Sequence, residues 1–127
     1  MELLKARLLF DGGFLTKALV VLENKSVDDF PTEKDKTEFN YRMARIYDDL
    51  GKDNQSLTYY QNAISTGKNL KYYFAANSAL QMGKVYEKKR DFAQAKSSYN
   101  LAISMKNHEY ESSIETQAKA GLKRIGN

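Results

Sequence analysis

The sequence contains no cysteine, so disulfide bonds, thiolate metal sites and cysteine nucleophiles are excluded. With a single histidine, His108, a histidine-rich metal site is excluded. One proline and seven glycines are too few for a loop-rich or disordered chain. No apolar run approaches the roughly 20 residues that cross a bilayer, so we predict no membrane span. We expect one soluble, mostly helical domain over residues 1–127, with the cytoplasm favoured as its compartment.

Enzymatic chemistry has little support in what remains. Asp48 and Asp49 are adjacent, and neighbouring residues on a helix do not face each other, so a paired-carboxylate site is disfavoured. His108 falls between two predicted helices, where a solvated turn residue is expected. The net charge of +4 comes from lysines interspersed with acidic residues, a pattern that disfavours a nucleic-acid surface. We therefore predict a non-enzymatic protein without metal or cofactor.

The strongest pattern in the sequence is an internal repeat. Eight positions recur at one constant offset with the same or similar residue types. In the middle copy they are Met43, Ala44, Tyr47, Ser56, Tyr60, Ala63, Ile64 and Ser65, and in the last copy Met82, Gly83, Tyr86, Ala95, Tyr99, Ala102, Ile103 and Ser104. A weaker copy lies upstream, where Ala6, Leu9, Ala18 and Leu22 hold the equivalent places. Repeats of this length are typical of stacked supersecondary units.

Each copy has the pattern of two helices joined by a turn. In the middle copy, Phe39, Met43, Ile46, Tyr47 and Leu50 follow the three- and four-residue spacing of an amphipathic helix. Gly51 is a predicted helix stop and Asp53 a predicted N-cap.

Other helix boundaries are marked elsewhere in the chain. Thr32 is a predicted N-cap, and turns are predicted at Gly12–Gly13 and at Arg90–Asp91. In the last copy we expect Tyr72 to lie on the first helix. Tyr47, Tyr60, Tyr86 and Tyr99 are predicted to fill the space between helices, opposite small residues such as Ala44 and Gly83.

These residues resemble the tetratricopeptide repeat, which places small and aromatic residues alternately on two helices. Ser56, Tyr60 and Ala63 match the second-helix pattern, as do Ala95, Tyr99 and Ala102. The period, read from Ala44 to Gly83, exceeds the roughly 34 residues of the family, which we attribute to longer first helices in the second and third copies. The resemblance implies an all-α, right-handed solenoid of about three repeats, at about 2–30, 32–67 and 70–107, with a capping helix at about 108–125.

The resemblance also implies a function, which is a non-catalytic scaffold that binds a peptide or protein segment on its concave face. The implied face carries Arg7, Phe10, Asp11, Glu38, Tyr41, Arg45, Asp48, Asp49, Asn77, Leu80, Lys84, Glu87 and Lys88. The family's carboxylate clamp for chaperone C-termini is not expected, since its places are held by Leu3, Arg7, Arg42, Asn77 and Gln81. An alternative is that these residues are merely solvated helix faces.

The first helix suggests a different use of the chain. Leu3, Leu4 and Leu8 form a predicted apolar interface edge, with no capping residue before the helix. Apolar surface of that extent is unusual unless it is covered. The alternative function is therefore a structural segment that stacks on a second copy, or on further repeats of a longer protein of which this chain is the C-terminal part.

Overall fold

The computed structural model describes residues 1–126, and within them all regular structure is helical. The α-helices are α1 (Glu2–Asp11), α2 (Leu15–Leu22), α3 (Glu33–Asp49), α4 (Asp53–Gly67), α5 (Phe74–Lys88), α6 (Phe92–Ser104) and α7 (Glu111–Arg124). One turn of 3-10 helix, Val27–Asp29, joins α2 to α3. Consecutive helices pack on each other, and α1, α3, α5 and α7 also contact one another in turn. The chain is thus a helical-repeat solenoid of three helix pairs closed by α7.

The turn inside each helix pair has the same conformation in all three repeats. Gly13, Gly51 and Arg90 hold equivalent places, and their φ angles are 84°, 78° and 62°. Each residue ends its helix in the left-handed conformation, and the amide that follows it donates to a carbonyl five residues back. Glycine adopts this conformation without strain, and Arg90 does so at a cost. The predicted turns are confirmed.

Of the two predicted N-caps, Thr32 is confirmed and Asp53 is wrong, while Asp91 of a predicted turn also proves to be an N-cap. Thr32 Oγ1 accepts a hydrogen bond from the Asp35 amide at 3.1 Å, and Asp91 caps α6 through the Gln94 amide at 3.3 Å. The N-cap of α4 is Lys52, which makes no side-chain capping bond. Asp53 is instead the first residue of α4, and its carboxylate lies 2.9 Å from Lys88 Nζ.

The residues that lengthen the repeat are only partly helical. The first helix of the second repeat, α3, is long, with 17 residues. The first helix of the third repeat begins only at Phe74, so the prediction that Tyr72 lies on it is wrong. Tyr72 and Tyr73 belong to the connection before α5. The ring of Tyr73 packs edge-on against the ring of Tyr110, with 5.5 Å between the ring centroids. The extra length therefore lies in the long α3 of the second repeat and, before the third repeat, in the connection between Gly67 and Phe74 and not in a longer α5.

The core forms around the second-helix tyrosines. Tyr60 and Tyr99 are fully buried, together with the small residues of the repeat pattern. The backbone of α5 approaches Tyr99 so closely that a Cβ on Gly83 would lie 2.5 Å from the ring atom Cδ1. On the other side of the ring, a Cβ on Gly121 of α7 would lie 2.6 Å from Cε2. Tyr99 is therefore clamped between two glycines, and neither site has room for a side chain.

Two of the four predicted core tyrosines lie in a more open environment. Tyr47 and Tyr86 are only half-buried at the margin of the core. Both belong to first helices, whereas Tyr60 and Tyr99 belong to second helices that are covered by the following repeat or by α7. The prediction that the rings fill the space between helices is confirmed for Tyr60 and Tyr99 and only in part for Tyr47 and Tyr86, which pack against the core but stay half-buried.

The core is continuous along the chain through α3. One cluster of buried side chains joins α3 to α1 and α2, and a larger one joins α3 to α4, α5, α6 and α7. In the described part of the chain, no helix is both long enough and apolar enough to span a bilayer. Each helix pair lies inside one predicted repeat, and the exact repeat bounds stay a prediction.

Candidate functional site

The predicted partner-binding residues come mainly from α1, α3 and α5, the first helices of the three repeats. We call the surface they share the first-helix surface. One set of residues on it, Arg7, Arg45 and Lys84, recurs at the spacing of the repeat. Every repeat thus presents one cation at the same place, and the row runs from helix to helix across the surface.

The second repeat holds its cation in a hydrogen-bonded group. Tyr60 Oη donates to Asp48 Oδ2 at 2.7 Å and accepts from Arg45 Nη1 at 3.1 Å, and Arg45 lies 3.5 Å from Asp48. The Tyr60 ring is buried, so the pKa of its hydroxyl is raised and it remains a neutral donor. Arg45 also lies over the ring of Phe10, with its Cζ atom 5.5 Å from the ring centroid. This contact links the first repeat to the second.

The third repeat builds the same group from different residues. Tyr99 Oη donates to Glu87 Oε1 at 2.6 Å, as Tyr60 does to Asp48. The guanidinium comes from Arg124 of α7, whose Nε lies 3.0 Å from Glu87 Oε2. Burial and the hydrogen bond to Glu87 raise the pKa of Tyr99 to about 12. The hydrogen bonds from Arg124 and Tyr99 lower the pKa of Glu87. The acid stays ionised, and α7 is tied to the third repeat through it.

Lys84, the third cation of the row, borders two neighbouring cavities of about 260 Å³ each. The first is lined by Lys84, Glu87, Lys88 and Arg124. The second is lined by Arg45, Asp48, Asp49, Gln81, Lys84, Val85 and Lys88. The structure therefore brings together five of the predicted residues, from α3 and α5, around Lys84.

The N-terminal part of the surface has its own cavity, of about 270 Å³. Its lining is Met1, Leu3, Leu4, Arg7, Lys34, Asp35 and Glu38. Arg7 lies 3.7 Å from Asp11, and both side chains are exposed. Glu38 is held by Arg42 Nε at 3.1 Å. These predicted residues lie together at one end of the surface, away from Lys84.

Three predicted residues are not on the surface. Leu3 and Tyr41 are each only 5% exposed, and Leu80 is fully buried. They hold equivalent repeat positions, and in each case the side chain points between successive repeats and packs in the core. Asn77 is half-buried, and its amide donates to Tyr41 Oη at 2.7 Å. The apolar edge consequently consists of Leu4 and Leu8 without Leu3.

The structure adds residues of α7 that were not predicted. Arg124 lines one of the cavities, and Gln117 Oε1 lies 3.3 Å from Lys84 Nζ. A signal for them exists in the sequence, because Gly121 follows Gly83 by one further repeat length and thereby continues the small-residue position into α7. His108 lies in the turn before α7, as predicted, but it is half-buried, with Nδ1 2.8 Å from the Glu109 carbonyl. Among residues 1–126, no three histidine or acidic side chains are grouped as a metal site.

Comparison with known proteins supports the repeat. A family model described as tetratricopeptide repeat matches residues 37–66 and 76–109, together half of the chain. The two matches cover the second and third helix pairs, including Tyr60 and Tyr99. No curated protein and no solved structure matches the chain significantly.

Proposed function

The chain belongs to the tetratricopeptide repeat family, whose repeats are generally protein–protein interaction modules, and we propose that its concave face binds a segment of a partner protein. The protein then acts as a scaffold without chemistry of its own, in keeping with a typically non-catalytic family. We treat the whole chain as one binding unit, with repeats at 2–30, 32–67 and 70–107 and a cap at 108–125.

The observation that carries this proposal is the arrangement of polar side chains on the first-helix surface. Arg7, Arg45 and Lys84 repeat at the same place on α1, α3 and α5, and cavities of about 270 and 260 Å³ lie between α1 and α3 and between α3 and α5. A row of polar groups beside shallow cavities suits an extended segment, whose side chains alternate between cavity and solvent. Stacking does not use Arg7 and Lys84, because both side chains are exposed.

A display library of random 12-residue peptides tests this proposal. We expect peptides selected on the wild-type chain to bind Arg7→Glu and Lys88→Glu variants more weakly, because both exposed side chains lie on the first-helix surface. Lys96→Glu, on the exposed side of α6, makes the same charge change elsewhere and is the control. Calorimetric titration of each variant gives the affinity. Equal affinities for all three variants would contradict the proposal.

A second candidate function is supported by the apolar surface of the first repeat. Leu4, Leu8, Phe14 and Val20 are 47%, 59%, 53% and 58% exposed. Between α1 and α2 is a cavity of about 320 Å³ with a mostly apolar lining, formed by Lys5, Leu9, Thr16, Lys17, Val20 and Val21. Contiguous exposed apolar side chains mark interaction surfaces. We infer that α1 and α2 stack on another helical repeat. If that repeat belongs to a second copy of the chain, the contact can be measured directly as dimer formation.

Light scattering across concentration tests the second candidate. If copies pair through the first repeat, the wild-type chain is a dimer and Leu8→Glu is a monomer, since the substitution places a charge in the interface. Leu101→Glu alters another exposed leucine, on α6, and should leave the dimer intact. A wild-type chain that stays monomeric at high concentration contradicts pairing between copies.

A further inference from the structure

The three cations of the row differ in how their charge is balanced. Arg7 lies 3.7 Å from Asp11, and Arg45 lies 3.5 Å from Asp48. Lys84 has no carboxylate within salt-bridge distance among residues 1–126, and its one hydrogen bond is to the neutral Gln117 side chain at 3.3 Å. Lys84 is therefore the one cation of the row without an ion-pair partner among the described residues.

The reason lies in the way α7 closes the solenoid. In the second repeat, Asp48 binds both the tyrosine hydroxyl and the cation of the row. Glu87, the equivalent acid, binds Tyr99 and is taken up by both Nε and Nη2 of Arg124, at 3.0 and 3.2 Å. Arg124 thus occupies the position beside the acid that Arg45 occupies in the second repeat. Lys84 therefore does not pair with Glu87.

The surroundings of Lys84 disfavour a lone positive charge. Although the side chain is exposed, partial desolvation by its neighbours, followed by the charges of Arg45 and Arg124, lowers the pKa of Lys84, and these effects exceed the opposing influence of Asp48 and Glu87. The neighbouring Lys88 is balanced by Asp53 at 2.9 Å. A bound anion at this place would pair with Lys84 while Arg45 and Arg124 keep their own partners. Cavities of about 260 Å³ on both sides of Lys84 leave room for a carboxylate side chain.

We propose that Lys84 binds an acidic side chain of the partner segment. This inference rests on the proposed function, since it names the chemistry of the segment that the concave face takes. At the other end of the surface, the exposed Leu4 borders the cavity of about 270 Å³ and offers an apolar contact. Two helix-to-helix steps of about 8–10 Å separate α1 from α5. At about 3.3 Å per extended residue, the segment has an apolar residue five or six positions away from its acidic one.

The test uses the peptides selected from the random 12-residue library on the wild-type chain. We expect the binders to share an aspartate or glutamate, and replacement of that residue by its amide to weaken binding about tenfold or more, as for loss of a charged hydrogen bond. Lys84→Gln should weaken the acidic peptide to the same extent and leave the amide peptide unaffected. Lys84→Arg, which keeps the charge, should restore binding. Lys96→Gln removes a lysine from α6 and is the matched control.

The outcomes separate this inference from the function on which it rests. Binders that respond to Arg7→Glu or Lys88→Glu but bind Lys84→Gln as well as the wild-type chain overturn the role of Lys84 and leave the concave face as the binding surface. Binders that share no acidic residue would likewise overturn the role of Lys84 and leave the concave face as the binding surface. A library that yields no binder sensitive to any first-helix variant overturns both proposals. Loss of the acidic peptide with Lys84→Gln, recovery with Lys84→Arg and no change with Lys96→Gln support the inference.

Discussion

The two ends of the solenoid are finished in opposite ways. At the C-terminal end, α7 covers Tyr99, places Gly121 against its ring and binds Glu87 through Arg124. At the N-terminal end, α1 and α2 have exposed leucine, phenylalanine and valine side chains and a mostly apolar cavity. A helix pair buries only one of its faces by itself, so a stacked repeat needs a neighbour or a polar helix at each end. Within residues 1–126 the last repeat has such a helix, and the first repeat has none.

The largest effect should come from the residue at the centre of the closed end. Tyr99→Ala removes a fully buried ring from between Gly83 and Gly121, and we expect a loss of about 3–5 kcal/mol in the free energy of unfolding. Urea denaturation followed by circular dichroism measures it. Tyr86→Ala, on the half-buried ring of α5, should cost clearly less. Equal losses for the two variants would mean that α7 does not cover Tyr99 as described.

At the open end, two adjacent leucines should differ sharply. Leu3 is 5% exposed and packs in the core of the first repeat, whereas Leu4 is 47% exposed. We expect Leu3→Ala to cost about 2–5 kcal/mol, the range for a buried leucine. The neighbouring Leu4→Ala should change stability by less than about 1 kcal/mol, as an exposed position does. A large loss for Leu4→Ala that appears only at high protein concentration would show that the edge is covered by another molecule.

The close approach of α5 to Tyr99 predicts an effect of unusual sign. Alanine normally stabilises a helix relative to glycine, by about 0.5–1 kcal/mol. At Gly83 the added methyl group would overlap the Tyr99 ring, which is clamped on its other side by Gly121. We therefore expect Gly83→Ala to lower the free energy of unfolding by about 1–3 kcal/mol. A stabilised Gly83→Ala variant would contradict the clamp.

The sequence is sufficient to predict the fold because its repeat signal is strong. The constant offset between copies predicts the helix pairs, and the turn positions at Gly51 and Arg90 follow from it. The depth of a side chain is harder to predict, because periodicity identifies the face of a helix and not what covers that face. Tyr86 and Tyr99 have the same residue type in the same repeat, yet only Tyr99 lies under α7.

The errors in the candidate site share one physical cause. Leu3, Tyr41 and Leu80 are equivalent residues, assigned to the surface or the edge by residue type and resemblance, and all three are buried between successive repeats. Ala118 continues this position into α7 and is buried as well. None of these four equivalent residues is charged, which is the sequence signal of a buried position. The repeat spacing predicts the row of Arg7, Arg45 and Lys84. The pairing of Glu87 with Arg124, and not with Lys84, depends on how α7 packs.

The smallest effect concerns the ion pair that ties α7 to the third repeat. The folded state lowers the pKa of Glu87 below its ordinary value of 4.5, chiefly through the hydrogen bonds from Arg124. A lowered pKa stabilises the fold above the unfolded-state value, and this stabilisation disappears as the pH falls through the folded-state value. Glu87→Gln should therefore cost below about 1 kcal/mol at pH 7, the usual size for a partly exposed pair. Its stability should approach that of the wild-type chain as the pH falls below about 4.5.

Arg124→Gln provides the matched measurement for this pair, because it removes the hydrogen bonds that contribute most to the lowered pKa of Glu87 and leaves the acid in place. Unfolding midpoints in urea at pH 7 and at pH 3.5 should show the same convergence with the wild-type chain for either single variant. Because the two side chains act as one unit, the double variant should lose less than the two single losses combined. Additive losses would mean that Arg124 and Glu87 stabilise the fold independently of each other and not as an ion pair.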